Sequence, residues 1–177
     1  AFLGAVAILL GDAPVAVFAL ILAAASTGFL VFNFPPAKIF MGDVGSQFLG
    51  FMFAGLGVFL AKSDLTGTLI FVVPILLFNF LFDTIFTAAY RLLRGENPTA
   101  AHRTHLYQLL NQAGASHRTV TAVHAVMVVM QGFAALWLIR TGQEPRWLIF
   151  LFFGLLQTGY ACFVLRLYFR VRESISK

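Results

Sequence analysis

Residues 14–46 read PVAVFALILAAASTGFLVFNFPPAKIFMGDVGS. Residues 14–32 carry no charge and are close to the ~20 apolar residues a helix needs to cross a bilayer. Ala23, Ala24, Ala25, Ser26 and Gly28 are small enough for neighbouring helices to approach. The pattern then changes abruptly. Residues 33–46 bring two prolines, two glycines, Lys38 and Asp43, after which apolar residues resume. A greasy span followed by an irregular polar segment and another greasy span is the pattern of a polytopic membrane protein.

Composition agrees. Of 177 residues, 60% are hydrophobic and 11% charged, and mean hydropathy is +0.89; soluble domains carry about 25% charge and about 45–50% apolar residues. The 21 phenylalanines suit lipid-facing helices. The lone Cys162 excludes an intrachain disulfide and a cysteine metal cluster; within its apolar run it reads as a packing residue. The net charge of +5 follows membrane topology and is no nucleic-acid signature.

The fold class is all-α, a transmembrane bundle of about five full spans plus a partial N-terminal one. Gly11-Asp12-Ala13-Pro14 marks a turn. Spans are expected at 14–32, 47–61 (interrupted by Gly50, Gly55 and Gly57), 68–90 (broken only by Pro74, Asn79 and Asp83), 119–139 and 146–168. Residues 1–177 read as one membrane domain. The opening run AFLGAVAILL is about half a span, so a helix beginning upstream is expected, and with it a fragment of a longer chain. With 33–46, 91–118 and the C-terminus on one side, that side holds nine Lys and Arg and the other holds Lys62, Arg140 and Arg146. The positive-inside rule makes 33–46 and 91–118 cytoplasmic loops.

Two irregular polar segments on one face imply a shared site. Asp43 lies between Gly42 and Gly45, which let a ligand approach the main chain, at the mouth of a helix whose amides point outward. It can ligate Mg²⁺ beside substrate phosphates, or serve merely as an N-cap. The segment 91–118 holds His102, Arg103 and His105. Arg103 offers a fork of donors matched to phosphate, and a histidine can donate to a phosphoryl oxygen or carry a proton. His102 and His105, three apart, can share one side of a helical turn; a solvated interfacial helix is the alternative. Asp83 lies roughly 12 Å below the end of its span. An ionisable residue at that depth is a candidate intramembrane polar site or the partner of a polar neighbour, and Asn79 shares its track. His117 and His124 read as structural or interfacial.

NFPPAKIFMGDVGSQFLG (33–50) resembles the signature of the polyprenyl-phosphate N-acetylhexosaminyl-1-phosphate transferases (glycosyltransferase family 4, related to phospho-N-acetylmuramoyl-pentapeptide transferase). Asn33, Pro36, Ala37, Phe40, Met41, Gly42, Asp43, Gly45 and Ser46 stand at matching positions. The family's cytoplasmic loop commonly reads Asp-Arg-x-His-x-His-His; here Arg103 and His105 match, and Tyr107 and Gln108 depart from it, as in the subgroup that starts surface polysaccharides such as O-antigen. The resemblance covers the family's C-terminal half and implies a Mg-dependent transferase (Mn²⁺ as alternative ion) of the bacterial inner membrane, multi-pass, with its active-site loops cytoplasmic. It moves a sugar-1-phosphate from a UDP-N-acetyl sugar to undecaprenyl phosphate and releases UMP. By the same resemblance Asp43 is catalytic and metal-side, Arg103 and His105 are catalytic and contact phosphate, and Asn33 and Phe40 bind uracil, with His102 also on the substrate. The implied partners are the UDP-sugar, undecaprenyl phosphate, membrane lipids and a second copy in a homodimer, with no nucleic acid. The family's upstream carboxylates are missing, so these 177 residues alone are expected to be inactive.

Two other classes compete. A transporter predicts more polar residues mid-span and discontinuous helices in two repeats. A non-catalytic scaffold has no use for Asp43 between glycines beside a His/Arg loop.

Overall fold

The computed structural model describes residues 1–62, 64–97, 100, 103–141 and 146–175. The regular structure among them is helical: α1 (Phe2–Leu9), α2 (Ala13–Asn33), α3 (Gly42–Ala61), a 3-10 turn (Leu69–Phe71), α4 (Val72–Leu76), α5 (Phe78–Leu93), α6 (Leu106–Gln112), α7 (His117–Thr141) and α8 (Arg146–Ile175). Helices α2, α3, α7 and α8 are long and apolar enough to cross a membrane, and α4 with α5 makes a fifth span if the two are taken as one broken helix. The chain is a multi-pass helical membrane protein. It packs as two compact units, Ala1–Leu76 with Val129–Arg146, and Leu77–Val128 with Trp147–Lys177.

In the first unit, Asp12 starts α2 by accepting from the Val15 N–H at 3.1 Å, with Pro14 in the first turn, where its missing N–H would be unpaired anyway. Helix α2 stops at Asn33 because Phe34 precedes proline and is held extended (φ −60°, ψ 139°). Leu3, Val6 and Ala7 of α1 are buried, as are Val15, Ala16, Ala19 and Leu22 of α2. The predicted 47–61 span is longer than expected: α3 runs unbroken from Gly42. Two of its glycines differ sharply. A β-carbon on Gly57 would lie 2.7 Å from Val73 Cγ2 and 3.1 Å from its Cβ, whereas one on Gly50 meets nothing within 4 Å. Arg146, the first residue of α8, donates to the Thr66 and Gly67 carbonyls at 3.0 and 3.2 Å.

The predicted 68–90 span breaks at Leu77 (φ −102°, ψ 7°) and not at Pro74, since Pro74 falls in the first turn of α4, where proline is tolerated. In the second unit α5 carries two stripes at four-residue spacing, about 100° apart around the helix. Phe78, Phe82, Phe86 and Tyr90 form a ladder with ring centroids 6.3, 5.8 and 6.2 Å apart, capped by Arg94 over Tyr90 at 4.7 Å. On the other stripe Asn79, Asp83, Thr87 and Arg91 are all buried. Helix α6 buries Leu106, Leu109 and Leu110 against Val120, Ala161 and Val164. Helix α6 ends at Gln112, and beyond its C-cap Ala113 the chain turns at Gly114, whose φ of +101° suits a residue with no β-carbon. Ser116 Oγ then accepts from the Thr119 N–H at 3.1 Å and opens α7. Cys162, read as a packing residue, faces outward from α8, because the buried positions beside it are Ala161 and Val164.

The glycine contrast makes a prediction. Gly57→Leu must push Val73 and the backbone behind it, so it should destabilise the protein by about 1–3 kcal/mol. Gly50→Leu should stay within about 0.5 kcal/mol of wild type. Thermal unfolding in detergent distinguishes the two, and equal melting temperatures would refute the close-contact argument.

Candidate active site

Construction starts at the buried polar stripe of α5. A carboxylate moved out of water must be hydrogen-bonded, and Asp83 has three neighbours. Its Oδ1 accepts from the Leu106 backbone N–H at 2.8 Å and from Thr87 Oγ1 at 3.3 Å. His105 Nδ1 lies 3.2 Å from Oδ2. Leu106 is the first residue of α6, so Asp83 satisfies one of the amides a helix start leaves open. Gln108 Oε1 accepts from the His105 N–H at 3.2 Å, the returning half of a capping box. Higher on the same stripe, Arg91 donates to the Asn97 carbonyl through Nε (3.2 Å) and Nη2 (2.7 Å), and its Nη1 lies 3.4 Å from Glu96 Oε2. Asp83 thus anchors the far end of the 94–105 connection and Arg91 the near end.

The segment they hold presents Arg103, His105 and Tyr107. Arg103 is exposed; its carbonyl accepts from Gln112 Nε2 at 2.8 Å. With Tyr107, Gln108, Asn111, Gln112, His117 and Val120 it lines a cavity of about 420 Å³. Tyr107 stacks on His105, ring centroids 5.8 Å apart and planes 18° off parallel. Burial first, and then the charge of Asp83, push the Tyr107 phenol above its ordinary value against the opposing hydrogen bond of Gln108. At neutral pH its O–H stays on.

Below this lies a polar cluster. Asn79 Nδ2 sits 2.6 Å from His124 Nδ1, Gln157 Nε2 donates to Asn79 Oδ1 at 2.5 Å, and Tyr160 Oη lies 3.3 Å from His124 Nε2.

The first unit holds the other predicted residues. Asn33 Nδ2 donates to the Ile39 carbonyl at 2.8 Å, closing the 34–41 loop, and the Phe40 ring is 83% exposed. Gly42 turns into α3 at φ +68°, a conformation glycine adopts without strain. Asp43 follows, exposed, in the first turn. Its carbonyl accepts from Ser46 Oγ at 3.0 Å. The residue at the N-cap position is Met41, with no side-chain cap, so the Asp43 side chain is not spent on capping the helix.

Glycosyl transferase family 4 matches residues 1–61. The chain is 33% identical over 127 residues to a Bacillus subtilis (strain 168) protein named "Probable undecaprenyl-phosphate N-acetylglucosaminyl 1-phosphate transferase", covering 67% of this chain and 35% of that one. It is 33% identical over 134 residues to the decaprenyl-phosphate N-acetylglucosaminephosphotransferase of Mycolicibacterium smegmatis (strain ATCC 700084 / mc(2)155), covering 69% and 33%. It is 30% identical over 129 residues to the phospho-N-acetylmuramoyl-pentapeptide-transferase of Staphylococcus aureus (strain JH9), covering 73% and 38%.

The chain belongs to glycosyl transferase family 4. It spans about a third of the length of these curated relatives. No solved structure matches it.

Within this family member the second unit gathers His105, Asp83 and the backbone of Arg103 around α6. His105 precedes α6 in extended backbone (φ −63°, ψ 148°), so it does not occupy the helical turn expected for it with His102, which lies outside the described residues. Asp83, one of the two alternatives left open by its depth, is the partner of this segment. Sequence reasoning missed Thr87 and Arg91, noted Tyr107 only as a departure from the family loop, and read His124 as structural or interfacial without its partners Asn79 and Tyr160. The four-residue recurrence 79-83-87-91 was a visible signal for the first two.

If Asp83 is a cap, Asp83→Ala strands the Leu106 amide and should cost roughly 1–3 kcal/mol. Asp83→Asn retains an acceptor and should lose much less. Denaturant unfolding of the purified variants tests this; equal losses would move the weight from the cap to the charge facing His105.

Proposed function

We propose that the protein carrying this chain transfers an N-acetylated sugar-1-phosphate from a UDP-sugar to undecaprenyl phosphate, with release of UMP, and so initiates a lipid-linked cell-surface polysaccharide. An oxygen of the lipid phosphate bonds to the sugar-bearing phosphorus. The bond from that phosphorus to the bridging oxygen breaks, and UMP leaves with the electron pair. Such transfer needs positioning and charge neutralisation more than covalent participation by the protein.

The observation that carries this reading is Asp43, a carboxylate exposed at the head of a 20-residue apolar helix, its side chain not spent on capping that helix. It suits a divalent ion held largely by substrate phosphates, since Mg²⁺ typically takes one or two carboxylates plus phosphate oxygens. When bound, Mg²⁺, or Mn²⁺ in its place, neutralises the diphosphate. Arg103 grips phosphate oxygens with its fork, and His105 contacts phosphate with its ring turned by Asp83. Phe40 stacks on the uracil. Asn33 accepts from a uracil N–H through Oδ1, its Nδ2 being taken by Ile39. His102 belongs to the same substrate-binding set.

Asp43→Asn in the full-length protein tests the assignment. Asn and Asp serve alike as caps, so a capping residue tolerates the change. A charge acting on the diphosphate does not, and UMP release from UDP-N-acetylglucosamine by membranes should fall on the order of a hundredfold or more. Arg103→Lys should also weaken donor use while leaving the protein folded. Near-normal turnover in Asp43→Asn would overturn the role.

We further propose that residues 33–46 and 91–118 are cytoplasmic in a bacterial inner membrane, from the distribution of Lys and Arg. In a Cys162→Ser background, cysteines at Lys38 and Gln112 should resist an impermeant thiol reagent in intact cells and react in inverted vesicles. The reverse pattern would invert the topology.

A further inference from the structure

The second unit contains a histidine that the transfer reaction does not use. His124 sits on α7, pinned at both ring nitrogens. Asn79 Oδ1 accepts from Gln157, so the Asn79 amide nitrogen donates to His124 Nδ1 at 2.6 Å. That makes Nδ1 an acceptor and places the ring proton of the neutral imidazole on Nε2, facing Tyr160 Oη at 3.3 Å. Gln157 is itself fully buried and held also by Met127 Sδ at 3.3 Å. A ring so fixed is a rigid wall. Tyr107 leans on it: the two rings meet edge to face at 6.3 Å and 89°. The Tyr107 face is the surface on which His105 stacks, and His105 Nδ1 lies 3.2 Å from Asp83 Oδ2.

We propose that His124 is a positioning residue of the phosphate site: it fixes the plane of Tyr107, and Tyr107 in turn fixes the plane of His105. The contacts run without a gap from Gln157 through Asn79, His124 and Tyr107 to His105. The assignment of His105 to phosphate rests on the transfer reading above; the coupling of the rings does not. One aromatic pair of this geometry corresponds to about a two- to tenfold effect.

His124→Gln keeps an acceptor for Asn79 and a donor for Tyr160 and removes the ring edge. Two measurements on full-length protein follow. The first is a histidine-ring ¹⁵N–¹H spectrum in detergent. His124→Gln should shift the His105 ring signals when residue 107 is Tyr, or Phe in Tyr107→Phe, and should leave them unmoved in Tyr107→Leu. The second is UMP release. His124→Gln should lower kcat about two- to tenfold with KM for the UDP-sugar little changed, and should add no further loss to Tyr107→Leu. An unshifted His105 signal in monodisperse His124→Gln overturns the proposal whatever the turnover, as do multiplicative kinetic losses. Wild-type protein that shows the spectral coupling but releases no UMP from a UDP-N-acetyl sugar overturns the transfer reading instead.

Discussion

The second unit depends on the carboxylate of Asp83. A carboxylate at this depth must find partners or abandon its charge, and within α5 it finds only Thr87, at 3.3 Å. The nearest supply is the polar stretch that follows α5. The chain answers by folding that stretch back: the Leu106 amide comes to Oδ1 and the His105 ring to Oδ2. Once Leu106 is drawn in, Leu109 and Leu110 follow on the same face of α6 and pack on Val120, Ala161 and Val164. A segment that composition alone would leave solvated thereby becomes part of the packed interior, and its polar edge with Arg103 and Tyr107 is left facing outward as a cavity wall.

Helix α5 can do this because it is amphipathic in the sense opposite to a water-soluble helix. Its polar stripe is the buried one, while Phe80, Leu81, Ile85, Leu92 and Leu93 face out. In water this would be unstable; in hydrocarbon it places each hydrogen-bonding side chain where a partner waits, and a satisfied polar contact there replaces an unsatisfied one rather than a hydrated one. The stripe works at three heights. Asn79 reaches Gln157 and His124, Asp83 reaches α6, and Arg91 closes the loop at Asn97.

The spans were legible because hydropathy and length are properties of consecutive residues, and bilayer thickness dictates both. The head of α3 was legible as well, since Gly42-Asp43 after Pro35-Pro36 is a local arrangement. What escaped was tertiary pairing. Leu106 lies 23 residues beyond Asp83, and His124 lies 45 beyond Asn79; no window of sequence contains either pair. His124 looked solitary for that reason. The break at Leu77 was not legible, because no glycine or proline stands at that position; Pro74, which interrupts the same apolar run, lies inside α4. His105 was read into a helical turn from a three-residue spacing, although the helix begins one residue later.

The two carboxylates Asp83 and Asp43 stand in opposite surroundings. Asp83 is buried, and both its oxygens are occupied by the protein's own groups. Asp43 is exposed, at the start of a helix whose N-cap position is filled by Met41 without a side-chain bond, so the obvious structural use of an aspartate there is not made. The cost of burying a charge explains the first without reference to any ligand. At the second, the turn into α3 is supplied by Gly42 and the preceding loop is closed by Asn33, while the charge lies in the first turn of α3, where the helix dipole favours it. An exposed carboxylate beside the outward amides of a helix start stays open to solvent and to ions, which the metal-side role proposed for Asp43 requires and which the closed shell around Asp83 does not offer.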